Sequence, residues 1–388
     1  MPAVGVPARL LAQHTKFARL CSSPSAAVSN GLTLQRRSYV TPSSSKVIFS
    51  GIQPTGVPHL GNYLGALQQW VKLQKEADRD TQLLYSIVDL HAITVPQDRA
   101  YLRQCKREML ATLLAIGLDP DRSTIFYQSS VPAHSELMWI LSCGASMGYL
   151  SRMTQWKSKL DLADNANPLD QSSKSKLKLG LFSYPVLQAA DILVHRSTHV
   201  PVGHDQSQHL EFARECANGF NHVHGKVLSA PETLLSPGKR VMSLDRPQYK
   251  MSKSHPNPKS RILLTDSREE IRKKLRVAVT DSIEGASYDP VQRPGVSNLI
   301  EIAFNLQNQS EASSPEDYAR DLEGVSLKAL KDHVTEAVDQ HIGPIRERFE
   351  SIIKGSGREL EDAAELGSQK ANASANATMK LVKDAVGF

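Results

Sequence analysis

No aspartate or glutamate occurs before Glu76, and no cysteine pair is spaced CxxC anywhere in the 388 residues. The four cysteines, Cys21, Cys105, Cys143 and Cys216, are widely scattered. That pattern argues against a disulfide framework or a zinc knuckle and fits a reducing compartment. No apolar run approaches the roughly 20 residues needed to cross a bilayer, so no membrane span is expected. Excess positive charge is also missing from most of the chain. Residues 1–46 carry Arg9, Lys16, Arg19, Arg36, Arg37 and Lys46, leaving 40 of the 46 Lys and Arg against 40 Asp and Glu. The formal charge of +6 therefore belongs to the leading segment, and any contact with nucleic acid must come from local patches rather than a global field.

What that segment does contain is Arg, Ser and Ala interleaved with apolar residues, as in Lys16-Phe17-Ala18-Arg19-Leu20. This composition predicts a mitochondrial transit peptide and linker over residues 1–45, drawn into the matrix by the membrane potential. Cleavage is expected near Tyr39, after Arg37-Ser38.

From Lys46 the texture changes. Short apolar runs at Val47–Ser50, Leu83–Val88, Thr124–Tyr127 and Thr198–Val202 read as strands, and Ala100–Gly117 has helical periodicity. Alternation of this kind predicts an α/β fold with a doubly wound parallel sheet of Rossmann type. Ligands bind such sheets outside the carboxyl ends of the strands, so the residues just after each strand are expected to carry the chemistry.

Two segments stand out. Pro58-His59-Leu60-Gly61-Asn62 follows the first strand and its turn. Gly61 lets a nucleotide approach the backbone, His59 can donate to a phosphate, and a helix N-terminus favours negative charge. Lys250-Met251-Ser252-Lys253-Ser254 places two lysines three apart among hydroxyls. Such a loop can neutralise charge developing on a leaving pyrophosphate. Each alone also reads as an ordinary capping turn or solvated loop; the ordered pair is more specific.

Together these residues resemble the class I aminoacyl-tRNA synthetases, and from Val47 to the C-terminus the chain is similar to the tryptophanyl-tRNA synthetases. Phe49–Gly56, Gly61-Asn62-Tyr63, Val88–Thr94, Arg152–Lys157 and Val200–Gln206 follow that family's blocks in order. The resemblance implies ATP, with substrate-bound Mg2+, held by Gln53, Pro54, Thr55, Gly61, Asn62, Gly203, His204, Asp205, Val241, Met251 and Ser252. It implies phosphate chemistry by Lys250, Lys253 and Ser254, with Lys159 opposite and His59 at the family's first-motif histidine. It implies L-tryptophan held by Phe49, Gly51, His91, Tyr184, Gln188, Asp191 and Gln206. Tyr184, Gln188 and Asp191 are spaced to share one face of a helix. A buried carboxylate there would accept an indole N–H and reject Phe, which would leave it unpaired.

The implied organisation is a catalytic domain over residues 46–240 with a dimerising insertion at about 110–178, a lysine loop at 241–258, and an α-helical anticodon-binding domain over 259–388. The implied partners are tRNA(Trp) and a second copy of the chain, met through residues such as Trp139, Met147 and Tyr149. Arg272, Lys273, Lys274 and Arg276 form a basic run that could meet phosphates. Helices are expected over Leu327–Ile342, Ile345–Ile353 and Glu359–Val386. No pair of histidines has the His-Glu-x-x-His spacing, so no resident metal is expected. A tyrosyl-tRNA synthetase and a non-catalytic RNA-binding relative are the competing readings.

Overall fold

The computed structural model describes residues 46–388 apart from 161, 164, 175, 203–206, 236–239, 254 and 308–311. The expected leader over 1–45 lies outside the described residues, and so do Gly203, His204, Asp205, Gln206 and Ser254.

Five strands, β1 (Val47–Ile52), β2 (Gln82–Ile87), β3 (Thr124–Tyr127), β4 (His199–Val202) and β5 (Glu232–Leu235), make a parallel sheet in the order β3-β2-β1-β4-β5. This is the doubly wound arrangement read from the sequence. β1 runs two residues further than expected, because Gly51 and Ile52 still pair with Ser86 and Ile87, so the turn begins at Gln53. Ile48 pairs with His199, which places β1 between β2 and β4, where the chain order reverses. That reversal is where a ligand crevice is expected.

Helices cover both faces. α1 (Leu60–Asn62), a π-helical turn (Tyr63–Leu67) and α2 (Gln68–Glu76) follow β1; α3 (Asp89–Ala92) and α4 (Arg99–Ala115) follow β2. Between β3 and β4 lie α5 (Ala133–Ser142), α6 (Met147–Arg152), α7 (Gln155–Lys159), α8 (Gln171–Lys174) and α9 (Leu179–Leu193). α10 (Ser207–His224) precedes β5. After it come α11 (Arg268–Arg276), α12 (Pro294–Leu306), α13 (Pro315–Arg320), α14 (Leu327–Lys354) and α15 (Arg358–Val386).

The strands are mostly apolar on both sides because both faces are covered. Ile48, Leu83 and Tyr85 point into one core with α4, α12 and α14, while Val47, Phe49, Leu84 and Phe126 point into another with α5, α9 and α10. The span 110–178 thus begins inside the sheet layers, since Leu110–Ala115 and β3 are core elements. Residues 44–388 form a compact unit, and one core joins Ile48 to Val241, Met251, Ile271 and Leu330. The borders read at 240 and 258 are changes of pattern that packing spans.

Two helical expectations need correction. The break placed at Gly343-Pro344 is absent: α14 runs through Pro344, with Ile342 and Ile345 both buried beside it. Burial of those neighbours offsets the hydrogen bond that proline cannot donate. The last helix also does not stay with its neighbours. α15 crosses back onto β3 and α5, burying Ala371, Ala375, Met379 and Val382 in the second core.

Candidate functional site

A cleft of about 840 Å³ opens at the reversal point between β1 and β4. Its walls carry Phe49, Gly51 and Gln53 from β1 and its turn, and Asn62 from α1. His91 from α3, Lys159 from α7 and Tyr184, Gln188 and Asp191 from α9 complete the expected set found there. Nine of the expected residues therefore meet in one cavity. Gly51 leaves room for the residue that follows β2: a Cβ there would lie 2.9 Å from Cγ1 of Val88, another cleft residue.

Asp191 lies at the floor, 2% exposed. Its Oδ1 accepts from Gln128 Nε2 at 2.6 Å and from His134 Nδ1 at 2.7 Å; its Oδ2 accepts from His91 Nε2 at 2.8 Å. Burial alone would raise its pKa, but the hydrogen bonds from His134 and His91 reverse this and hold the carboxyl well below the usual carboxylate range. It is a buried anion. Tyr184 Oη pairs with His209 Nε2 at 3.0 Å, and burial pushes the Tyr184 phenol up. Lys159 Nζ sits 5.3 Å from the Tyr184 ring centroid, a cation–π distance, and desolvation lowers its pKa. Phe49 stacks on His195 at 5.9 Å between centroids.

The two motifs meet at a second place. His59 caps α1: its Nδ1 accepts the Asn62 N–H at 3.2 Å, while Asn62 Oδ1 accepts the His59 N–H at 3.2 Å. With Nδ1 accepting, the proton of a neutral ring sits on Nε2, where it can donate. Burial first, then Lys253, Arg261 and Lys250, push the His59 pKa down to about 3. A Cβ on Gly61 would lie 3.0 Å from His59 Nδ1, so glycine here leaves room for the capping imidazole, with Met251 Cβ in ordinary contact at 3.5 Å.

The loop is braced by a short hairpin. Met251 N–H donates to Val241 O at 2.9 Å, and Asn298 of α12 bonds both the N–H and C=O of Met242 at 2.9 and 3.1 Å. Met251, expected at the nucleotide, buries its side chain in the core, and Val241 has committed its carbonyl to the hairpin. Lys253 Nζ donates to Gly56 O at 2.6 Å and to Thr55 Oγ1 at 3.3 Å, directly on the turn after β1; Pro54 in that turn is buried. Desolvation brings the Lys253 pKa down to about 8. Lys250 is exposed at the isolated bridge with Met242.

Sequence reasoning missed Gln128 and His134, both fully buried partners of Asp191, together with Thr154, Gln155, Ser158 and His209 on the cleft wall. Gln128 had a signal, since it directly follows β3 at its carboxyl end. His134 had none. The basic run on α11 is partly neutralised: Lys274 pairs with Asp266 and Lys273 with Glu269.

Residues 42–343 match the model of a family described as tRNA synthetases class I (W and Y). The chain is 47% identical over 349 residues to the mitochondrial tryptophan–tRNA ligase of Schizosaccharomyces pombe, covering 88% of this chain and 95% of that one. It resembles a solved tryptophanyl-tRNA synthetase from Mycoplasma pneumoniae with TM-score 0.76 and 33% identity, covering 88% and 98%. It also resembles one from Campylobacter jejuni complexed with ADP and tryptophan, with TM-score 0.71 and 30% identity, covering 88% and 100%.

Proposed function

The chain belongs to the class I tRNA synthetases of the tryptophan and tyrosine family, and from that premise we propose that it charges tRNA(Trp) with L-tryptophan in the mitochondrial matrix. The observation that carries the choice of amino acid is the buried carboxylate of Asp191 lining the cleft, with three of its four acceptor positions filled by Gln128, His134 and His91. An indole N–H satisfies it. An amino acid without such a donor leaves that last acceptor position unfilled, at a cost of roughly 1 kcal/mol or more.

In this reading the tryptophan carboxylate attacks the α-phosphorus of ATP in line. A P–O bond forms as the bond to pyrophosphate breaks, giving tryptophanyl-adenylate. The 2′-hydroxyl of the terminal adenosine of the tRNA then takes the tryptophanyl group and releases AMP. No side chain acts as a nucleophile. Gln53, Gly61 and Asn62 border the nucleotide, neutral His59 donates from Nε2, and Lys253, Lys250 and Lys159 with substrate-bound Mg2+ neutralise the leaving charge. Asp205, Gln206 and Ser254 complete the site by their place in the sequence. The lysine loop at 241–258 joins the catalytic region to the helices after 259, which would meet the anticodon. A homodimer is supported by Trp139 and Met147, 72% and 65% exposed, on the α5–α8 segment, which narrows the dimerising part of the expected insertion.

ATP–pyrophosphate exchange with the full chain tests the reading. Tryptophan should stimulate exchange and tyrosine should not; exchange stimulated by tyrosine, or by neither, overturns it.

A further inference from the structure

Asp191 does not stand on the cleft wall alone. Behind it His134, fully buried, turns Nε2 toward His195 Nε2 at 3.4 Å, and His195 Nδ1 lies 3.1 Å from Ser374 Oγ on α15. The chain of contacts runs from the amino-acid cleft to a helix that begins more than 160 residues later in the sequence.

Its direction follows from what each atom can do. An ionised carboxylate only accepts, so His134 Nδ1 carries the proton it donates. Desolvation holds the His195 pKa well below the usual imidazole value, so its ring is neutral. A neutral His195 has one donor and one acceptor nitrogen, so with Nε2 donating to His134, Nδ1 accepts the Ser374 hydroxyl proton. Of the four lone-pair positions on Asp191, two on Oδ1 and one on Oδ2 are filled by Gln128, His134 and His91, which leaves one on Oδ2. Two imidazoles beside Phe49 and Phe126 are costly to bury compared with apolar side chains. The next residue, Arg196, adopts φ +49°, a conformation uncommon outside glycine, as the chain turns after His195.

We propose that His134, His195 and Ser374 are positioning residues for tryptophan selection, a one-way hydrogen-bond relay by which the C-terminal helix holds the Asp191 carboxylate with its last acceptor position toward the indole. This rests on the reading of Asp191 as the indole acceptor.

The test compares, in pyrophosphate exchange by the full chain, kcat/KM for tryptophan with that for 3-benzothienylalanine, whose sulfur replaces the indole N–H. Ser374→Ala should reduce that ratio by about threefold to tenfold, the scale of one lost hydrogen bond, through KM for tryptophan with KM for ATP unchanged. Ser374→Thr should restore it. His134→Asn, which keeps a donor for Asp191 but severs the link to His195, should lose as much as Ser374→Ala. If His134→Asn does not fold, the half-buried Ser374 pair decides. A wild-type ratio in Ser374→Ala, alongside a collapsed ratio in Asp191→Asn, overturns the relay alone. A wild-type ratio in Asp191→Asn overturns the indole reading and the relay with it.

Discussion

Gly367 of α15 lies so close to Ile125 of β3 that a Cβ on it would sit 1.7 Å from the Ile125 carbonyl oxygen. No rotamer relieves a clash with backbone, so Gly367→Ala must lift the helix off the sheet edge. A loss of about 3 kcal/mol is expected, read by urea denaturation. Because the same helix carries Ser374, KM for tryptophan should rise with it.

Lys253 docks on the turn after β1 with its pKa brought down to about 8. Lys253→Ala should slow adenylate formation by about 10²–10³-fold while tryptophan affinity changes little. In the wild type, kcat/KM for ATP should fall as pH rises through about 8, since deprotonation removes the cation. Lys253→Arg should carry activity to higher pH. An unchanged alkaline limb in that variant would assign the titration elsewhere.

His59 stays neutral in the folded protein down to about 3, whereas in the unfolded chain it takes a proton near 6.5. The unfolded state therefore binds the extra proton first as pH falls. Stability from this residue is whole above pH 6.5 and declines below it, by about 2 kcal/mol at pH 5. His59→Asn keeps a capping side chain and should flatten the slope of stability between pH 5 and 7, measured by urea melts at each pH.

Asn298 holds both backbone groups of Met242 at the base of the lysine loop. Asn298→Ala leaves those groups without that partner and should cost about 2 kcal/mol. Freed from α12, the hairpin should also raise KM for ATP several-fold and leave KM for tryptophan near its starting value. Steady-state exchange kinetics with each substrate varied in turn separates the two.

Much of the cleft was readable through the family resemblance. Gln53, Asn62, His91, Lys159, Tyr184 and Asp191 were carried over residue by residue from the motif blocks that the resemblance rests on, and those blocks are runs of neighbouring residues. Two of the three donors to Asp191 were not singled out from the sequence. Gln128 and His134 are 63 and 57 residues away, in elements whose own patterns are those of a plain strand end and an amphipathic helix. Met251 was expected at the nucleotide by its place in the motif, and its side chain faces the core.

From residue order alone came the parallel sheet, the lysine loop and the face of α9, because periodicity, turn residues and short motifs act over a few positions. Folding in three dimensions decided that α15 closes over β3, that α14 continues through Pro344, and that a carboxylate is kept charged by two histidines and a glutamine. Those outcomes depend on burial and hydrogen bonding between distant segments. Desolvation and partner geometry exist only once the chain has brought those segments together.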